Sequence, residues 1–524
     1  MTDEHDSYPR TTNDSDDGTY VGAIDQGTTG TRFMLFDRGG RVVSSAYERH
    51  EQHYPEPGWV EHDPIEIWEN AKTVMEDALD AADANPSHLE AIGVTNQRET
   101  TVAWEADTGE PVADAIVWQD RRTTDRVEEL EAEGKTEFIR RKTGLEPDAY
   151  FSATKIEWLL ENADPIELER ARPADVRDRA EAGEVLVGTI DSWLIYNLTG
   201  AHVTDVTNAS RTMLFDVHAL EWDDDLLEEF SVPRAALPEV RPSSDEATYG
   251  TTDPDGFLGC DIPVTGALGD QQAALFGQAC FEPGEAKNTY GTGSFLLSNT
   301  GEEAVESDHG LLTTIAFQRS GEPAQYALEG SIFVTGAAIE WLEDVGLIDD
   351  PAETAALARR VDSTDGVYVV PAFAGLGAPH WDGRARGTIV GMTRGTRREH
   401  IVRATLESIA YQTRDVLEAM AADSGIELST LNVDGGAVKN NFLCQLQADL
   451  LGTEIVRPEV DETTALGAAY AAGLAVNYWD DLEGLRENWR VDRVFDPQLE
   501  ESTADARYER WRDAVERSRD WATD

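Results

Sequence analysis

Lysine is nearly missing from this chain of 524 residues. Lys72, Lys135, Lys142, Lys155, Lys287 and Lys439 are all there are, and every other basic side chain apart from histidine is arginine. Basic residues number 43 against 102 acidic ones, a net charge of −59. Such a surface repels phosphate backbones and anionic headgroups, so nucleic acid and membranes are poor partners. Cysteine is scarce too. Cys260, Cys280 and Cys444 have neither metal nor disulfide spacing and read as the reduced thiols of a cytoplasmic protein. Long apolar runs are lacking: the stretch Ala465 to Val476 is too short to span a bilayer. Residues 1–19 have no basic start and no apolar segment, and are read as a disordered acidic tail rather than a leader. Two phosphate grips are absent as well. No Gly-x-x-x-x-Gly-Lys-Ser/Thr string occurs, and no Gly-x-Gly-x-x-Gly follows a strand and opens a helix.

What is present is enough apolar residue, 40% of the chain, to fill two large cores. The acids are spread through apolar-patterned segments instead of forming tails, which fits a folded enzyme adapted to a saline cytoplasm. The pattern is mixed α/β. Strands are expected at 20–25, 32–37, 41–47, 91–95, 100–104 and 185–190, and helices at 64–82, 120–133, 152–161 and 222–230. A fresh α/β unit is expected from Ile262, with a long helix from Glu399 to Ser424 stopped by Gly425. Strand Thr430–Val433, helix Asn441–Leu451, strand Glu454–Arg457 and helix Thr464–Val476 should follow, an order that implies parallel pairing. The expected division is a tail at 1–19, one domain at 20–268 and a second at 269–524.

Two glycine- and threonine-rich hairpins carry the first chemical signal. Asp25-Gln26-Gly27-Thr28-Thr29-Gly30-Thr31-Arg32 joins the apolar runs Tyr20–Ile24 and Phe33–Phe36, and Tyr290-Gly291-Thr292-Gly293 precedes Ser294–Leu297. Turn N–H groups and threonine hydroxyls in such loops can hold a polyphosphate. Asp25, at a strand end beside the first loop, suits magnesium, which needs only one or two carboxylates next to phosphates, or makes an ordinary Asx-turn. Asp270, where an apolar strand gives way to a helix, can cap that helix or orient and deprotonate an attacking hydroxyl. In Gln97-Arg98-Glu99-Thr100 a fork of donors adjoins two acceptors, a pattern that could read neighbouring hydroxyls or form a plain ion pair. Trp118, Tyr150 and Phe295 could wall a small carbon skeleton or serve a core.

Together these segments resemble the glycerol kinases, within the carbohydrate-kinase family that shares the actin, hexokinase and heat-shock ATPase fold. The resemblance runs from about Tyr20 to beyond Val476. It rests on Asp25–Arg32, Gln97–Thr100, Val117–Gln119, Tyr150–Lys155, Gly269–Gln278, Asn288–Phe295, Gly387–Glu407 and Asp434–Asn441. It implies an α/β fold of two ribonuclease H-like (actin-like ATPase) domains flanking a catalytic cleft whose closure excludes water. It also implies ATP and Mg2+ as cofactors and glycerol as acceptor. By the same resemblance Thr28, Thr29, Gly30, Arg32 and Thr292 lie at the nucleotide phosphates, and Gly336, Glu340, Gly436 and Asn440 at the nucleoside. Arg98, Glu99, Tyr150, Asp270 and Gln271 hold glycerol, with Asp270 as the base. Two positions depart from the family pattern: Gly30 replaces a usual serine and Glu340 a usual glutamine. A homodimer or a homotetramer is left open, and the rival functions are a pentulose or gluconate kinase and a nucleotide-switched binding protein.

Overall fold

The computed structural model describes residues 18–163 and 173–522. The tail expected at 1–19 falls almost wholly outside the described residues. The chain divides into two compact units: Met1–Ala279 with Thr314–Tyr326 and Thr463–Trp489, and Cys280–Thr313 with Ala327–Glu462 and Arg490–Asp524.

In the first unit the strand Tyr20–Gln26 turns back antiparallel into Gly30–Phe36, which pairs with Val42–Arg49. On its other side Tyr20–Gln26 runs parallel to Leu89–Asn96, and that strand runs parallel to Pro263–Gly269. Gly250–Thr251 closes the edge, making six strands. The helix Pro64–Ala82 forms where expected. Asp63 caps it by accepting from the Ile65 N–H at 2.8 Å, and proline sits at its first position, where no N–H is needed. Its apolar stripe, Ile67, Ala71, Val74, Met75 and Ala78, joins Ile24, Phe33 and Val94 in the core.

The second unit repeats the plan. Glu285–Tyr290 turns back antiparallel into Ser294–Gly301, runs parallel to Thr430–Asp434, and that strand runs parallel to Glu454–Pro458, with Val491–Phe495 antiparallel at the edge. Leu312–Phe317 and Gln325–Ile332, of which Thr314–Phe317 and Gln325–Tyr326 are counted with the first unit, complete the seven strands of this sheet. The long helix Arg398–Ser424 ends at Gly425 with φ 67°, a left-handed stop that glycine takes without strain.

Two expectations need correcting. The helix expected at 120–133 starts only at Thr124. Asp120 is drawn inward instead, where its carboxylate accepts from the Val60 N–H at 2.6 Å and from Arg122. The alanine-rich helix Thr463–Ala475 belongs to the first unit, as does Asp270, so contact does not divide the chain at 268. The cause is close approach. A Cβ on Gly467 would lie 1.8 Å from the Ala273 carbonyl oxygen, and one on Gly93 2.1 Å from that of Ala468. Small residues on both sides let this helix lie directly on the sheet and on the helix Asp270–Gly277.

Candidate active site

Three parallel strands of the first unit end level: Gln26 pairs with Asn96, and Asn96 with Gly269. The chain leaving the carboxyl ends of parallel strands is where an open α/β sheet binds its ligands. Here it delivers the Gly27–Thr29 turn, Gln97–Thr100 and Asp270 to one sheet end.

Gln97–Thr100 is a tight reversal. The Thr100 N–H donates to the Arg98 carbonyl at 2.7 Å across Glu99, whose φ is 62°. A side-chain-bearing residue held there costs on the order of 1–3 kcal/mol. The surroundings fix it. The Glu99 carbonyl accepts from Thr101 Oγ1 and Ser152 Oγ, both at 3.0 Å, and its carboxylate accepts from Arg211 Nε at 2.7 Å. Arg98 thereby reaches Asp270, Nε to Oδ1 at 3.1 Å, and donates through Nη1 to Gln272 Oε1 at 3.3 Å. A Cβ on Gly269 would stand 2.7 Å from Arg98 Cγ and Cδ, so glycine is what lets this arginine pass. Arg98, Glu99 and Arg211 are buried, whereas the Asp270 side chain is 32% exposed. Asp270 is therefore the acid of this group that a small molecule can reach. It is the first residue of its helix, with Gly269 at the cap position, so the plain capping role does not describe it. Its Oδ1 accepts from the Gln271 N–H at 2.7 Å, and Gln271 itself is buried.

Tyr150 stands edge-on to Trp118 with ring centroids 5.5 Å apart, and the Arg211 guanidinium lies 5.8 Å from the Tyr150 ring. Trp118 Nε1 donates to Thr28 Oγ1 at 3.0 Å, so the aromatic wall and the first glycine turn are joined. Phe295 lies on the strand Ser294–Gly301 of the second unit.

The first turn is closed by the Gly27 N–H donating to the Gly30 carbonyl at 2.9 Å. The Thr28 carbonyl accepts from Gln52 Nε2 at 2.8 Å and lies 2.9 Å from His50 Nε2. Burial lowers the His50 pKa and takes that of the neighbouring His62 down to about 3, so His62 is neutral at physiological pH. Asp25 and Arg32 face each other across the hairpin ladder, and Thr29 is exposed. The departure at Gly30 has a steric reason. A Cβ there would lie 2.5 Å from both the Glu48 carbonyl oxygen and the Tyr47 hydroxyl. That hydroxyl is 3.3 Å from Thr29 Oγ1, so the turn has a hydroxyl beside it although residue 30 has none. Asp25 is half-buried. Among the described residues no group of three possible ligands forms a self-sufficient metal cage.

In the second unit the Gly291–Gly293 turn receives the start of the helix Gly336–Asp344. The Gly336 N–H donates to the Gly291 carbonyl at 3.0 Å and the Ala337 N–H to that of Thr292 at 3.1 Å. Thr292 and Gly336 are thus brought together, with Thr292 exposed. Glu340 is exposed on the same helix. Gly436 opens the turn after Thr430–Asp434, with nothing within 4 Å of where a side chain would begin. The Asn440 side chain is committed to structure: Oδ1 caps the helix Asn441–Leu451 through the Phe442 and Leu443 N–H groups, and Nδ2 donates to Thr354 Oγ1 at 3.1 Å.

Sequence reasoning passed over Arg211, Gln272, His50 and Gln52. The one signal for Arg211 is a polar run, Thr204 to Thr212, that interrupts an otherwise apolar region.

The description "FGGY family of carbohydrate kinases" matches this chain twice, its N-terminal domain at residues 20–277 and its C-terminal domain at 286–476. The chain belongs to this family. It is similar to a glycerol kinase of Haloferax volcanii, 74% identical over 96% of this chain and 99% of that protein. A glycerol kinase of Petrotoga mobilis is 57% identical over the same shares. Among solved structures, the Plasmodium falciparum glycerol kinase with ADP matches with a TM-score of 0.89 and 40% identity, over 95% of this chain and 98% of that one. A gluconate kinase of Lactobacillus acidophilus, at 22% identity and a TM-score of 0.83, shares the fold.

Proposed function

We propose that this protein transfers the γ-phosphoryl group of ATP to glycerol, forming sn-glycerol 3-phosphate. The observation that carries the reading is the Arg98–Asp270 contact of 3.1 Å, set beside the buried Glu99–Arg211 pair and the Tyr150–Trp118 wall. Charges alternate within that group, so a donor stands next to an acceptor, as vicinal hydroxyls require. Its relatives named as glycerol kinases support the same acceptor.

Arg98, Glu99, Tyr150 and Gln271 orient one terminal hydroxyl. The half-exposed Asp270 carboxylate accepts the proton as the oxygen attacks phosphorus in line with the leaving ADP oxygen. Thr28, Thr29, Arg32 and the turn amides at Gly30 act as one phosphate grip, and Thr292 as the grip of the second unit, aimed at charge that develops during transfer. Gly336, Glu340 and Gly436 serve the nucleoside, with Asn440 shaping their turn through its cap. Asp25 would hold magnesium, which when bound neutralises phosphate charge. Cys260, Cys280 and Cys444, which form no disulfide among the described residues, support a cytoplasmic setting.

The test is ADP release from the purified protein against glycerol, pentuloses and gluconate. Turnover is expected with glycerol. A preference for a pentulose or gluconate would move the protein to a sister activity, and ATP hydrolysis indifferent to any acceptor would indicate a nucleotide-switched binding protein.

A further inference from the structure

Lys155 is the fourth residue of the helix Ser152–Asn162, and its side chain has no exposed surface. A cation in a first turn runs against the helix dipole, and a buried cation is costly without compensation. Its hydrogen bonds all go to main-chain carbonyls, those of Ala149, Tyr150 at 2.8 Å and Phe151 at 3.1 Å. Among the described residues no carboxylate lies within ion-pair distance of it. The side chain thus spends three donors on the segment that presents Tyr150 to Trp118 and Arg211. The next residue, Ser152, ties the same segment to the strained Glu99 turn. Packing alone would be met more cheaply by a methionine or leucine of similar length.

We propose that Lys155 is a positioning residue of the acceptor subsite: its protonated amine fixes the Tyr150 main chain, so that glycerol binding weakens when either the proton or the side chain is lost. The inference rests on the glycerol reading above. An ammonium group has three N–H donors for the three carbonyls, whereas a neutral amine has two, so deprotonation leaves one buried carbonyl unmet.

Burial lowers the lysine pKa to about 7, opposed by the facing carboxylates of Glu99, Asp120 and Asp148 and assisted by the Arg121 charge. The folded-state value lies below the ordinary lysine value of 10.5, so in the native protein the charge is present on the acid side and lost as pH rises through neutrality. The KM for glycerol should therefore be low below neutral pH and rise above it, by about threefold to tenfold, the range expected for one lost hydrogen bond.

The experiment is steady-state kinetics of the full chain at fixed high salt, from about pH 6 to about pH 9, a range that brackets the shifted lysine. KM for glycerol, KM for ATP and kcat are measured separately for wild type and for Lys155→Met. In the wild type only the glycerol KM should rise with pH. In Lys155→Met it should be raised about tenfold at every pH, with its pH dependence gone and the ATP KM within about twofold. A pH-independent glycerol KM in the wild type overturns the inference, as does a rise of both KM values together in the variant. Should Lys155→Met not fold, the wild-type profile alone decides. Absence of any glycerol-dependent turnover removes the proposed function and this inference with it. Glycerol-dependent turnover with a flat profile removes the inference only.

Discussion

Asp270 and Arg98 make one unit of chemistry in which each has a separable duty. Asp270→Asn keeps the size and the Gln271 contact but cannot take a proton. Turnover should fall about 10²–10⁴-fold, the usual worth of general-base assistance, with both KM values little changed. Measured single-turnover rates close to wild type would leave Asp270 only a binding role. Arg98→Ala removes a buried charge-assisted contact worth about 1.5–3 kcal/mol, so the glycerol KM should rise at least about tenfold. Because Arg98 touches Asp270 and Gln272, ATP binding should stay near wild type; isothermal titration with ATP checks this. A collapse of ATP affinity would assign Arg98 to the phosphates.

Among the elements, the helix Thr463–Ala475 matters most to the site although it contributes no residue to it. It lies against the helix Asp270–Gly277 at backbone distance, which only glycine at 467 permits. Gly467→Ala places a methyl carbon 1.8 Å from the Ala273 carbonyl oxygen unless the helices part. Overpacking of this kind costs about 1–3 kcal/mol, so the melting temperature should fall by several degrees. Since Ala273 is one turn beyond Asp270, kcat should fall with it. An unchanged melting curve would mean that the two helices slide apart freely.

Across the whole molecule the net charge of −59 sets the conditions of stability. Self-repulsion destabilises a compact state, and salt screens it, with a Debye length of about 10 Å at 0.1 M and about 3 Å at 1 M. Melting temperature should therefore climb steeply between millimolar and molar potassium chloride. A curve that is flat or falls would contradict adaptation to a saline cytoplasm. Among the described residues no helix is long and apolar enough to cross a membrane.

Local chemistry was legible in the sequence wherever a short segment determines its own conformation. Both glycine hairpins, the Asp63-capped helix at 64–82 and the Gly425 stop follow from turn, cap and periodicity rules that act within a few residues. The candidate acid and its arginine were legible too, as residue types in a tight string. Tertiary structure alone decided what those residues do to one another. The 3.1 Å contact of Arg98 with Asp270 spans far-separated positions and depends on three strands ending level. The strained Glu99 turn survives because Arg211 and Ser152 hold it from distant segments. The alanine-rich helix reads as part of the later half, yet close approach at Gly467 and Gly93 fixes it to the first unit. Periodicity records which face of an element is apolar, but not which sheet buries it; that choice is made by the fit of small residues against backbone.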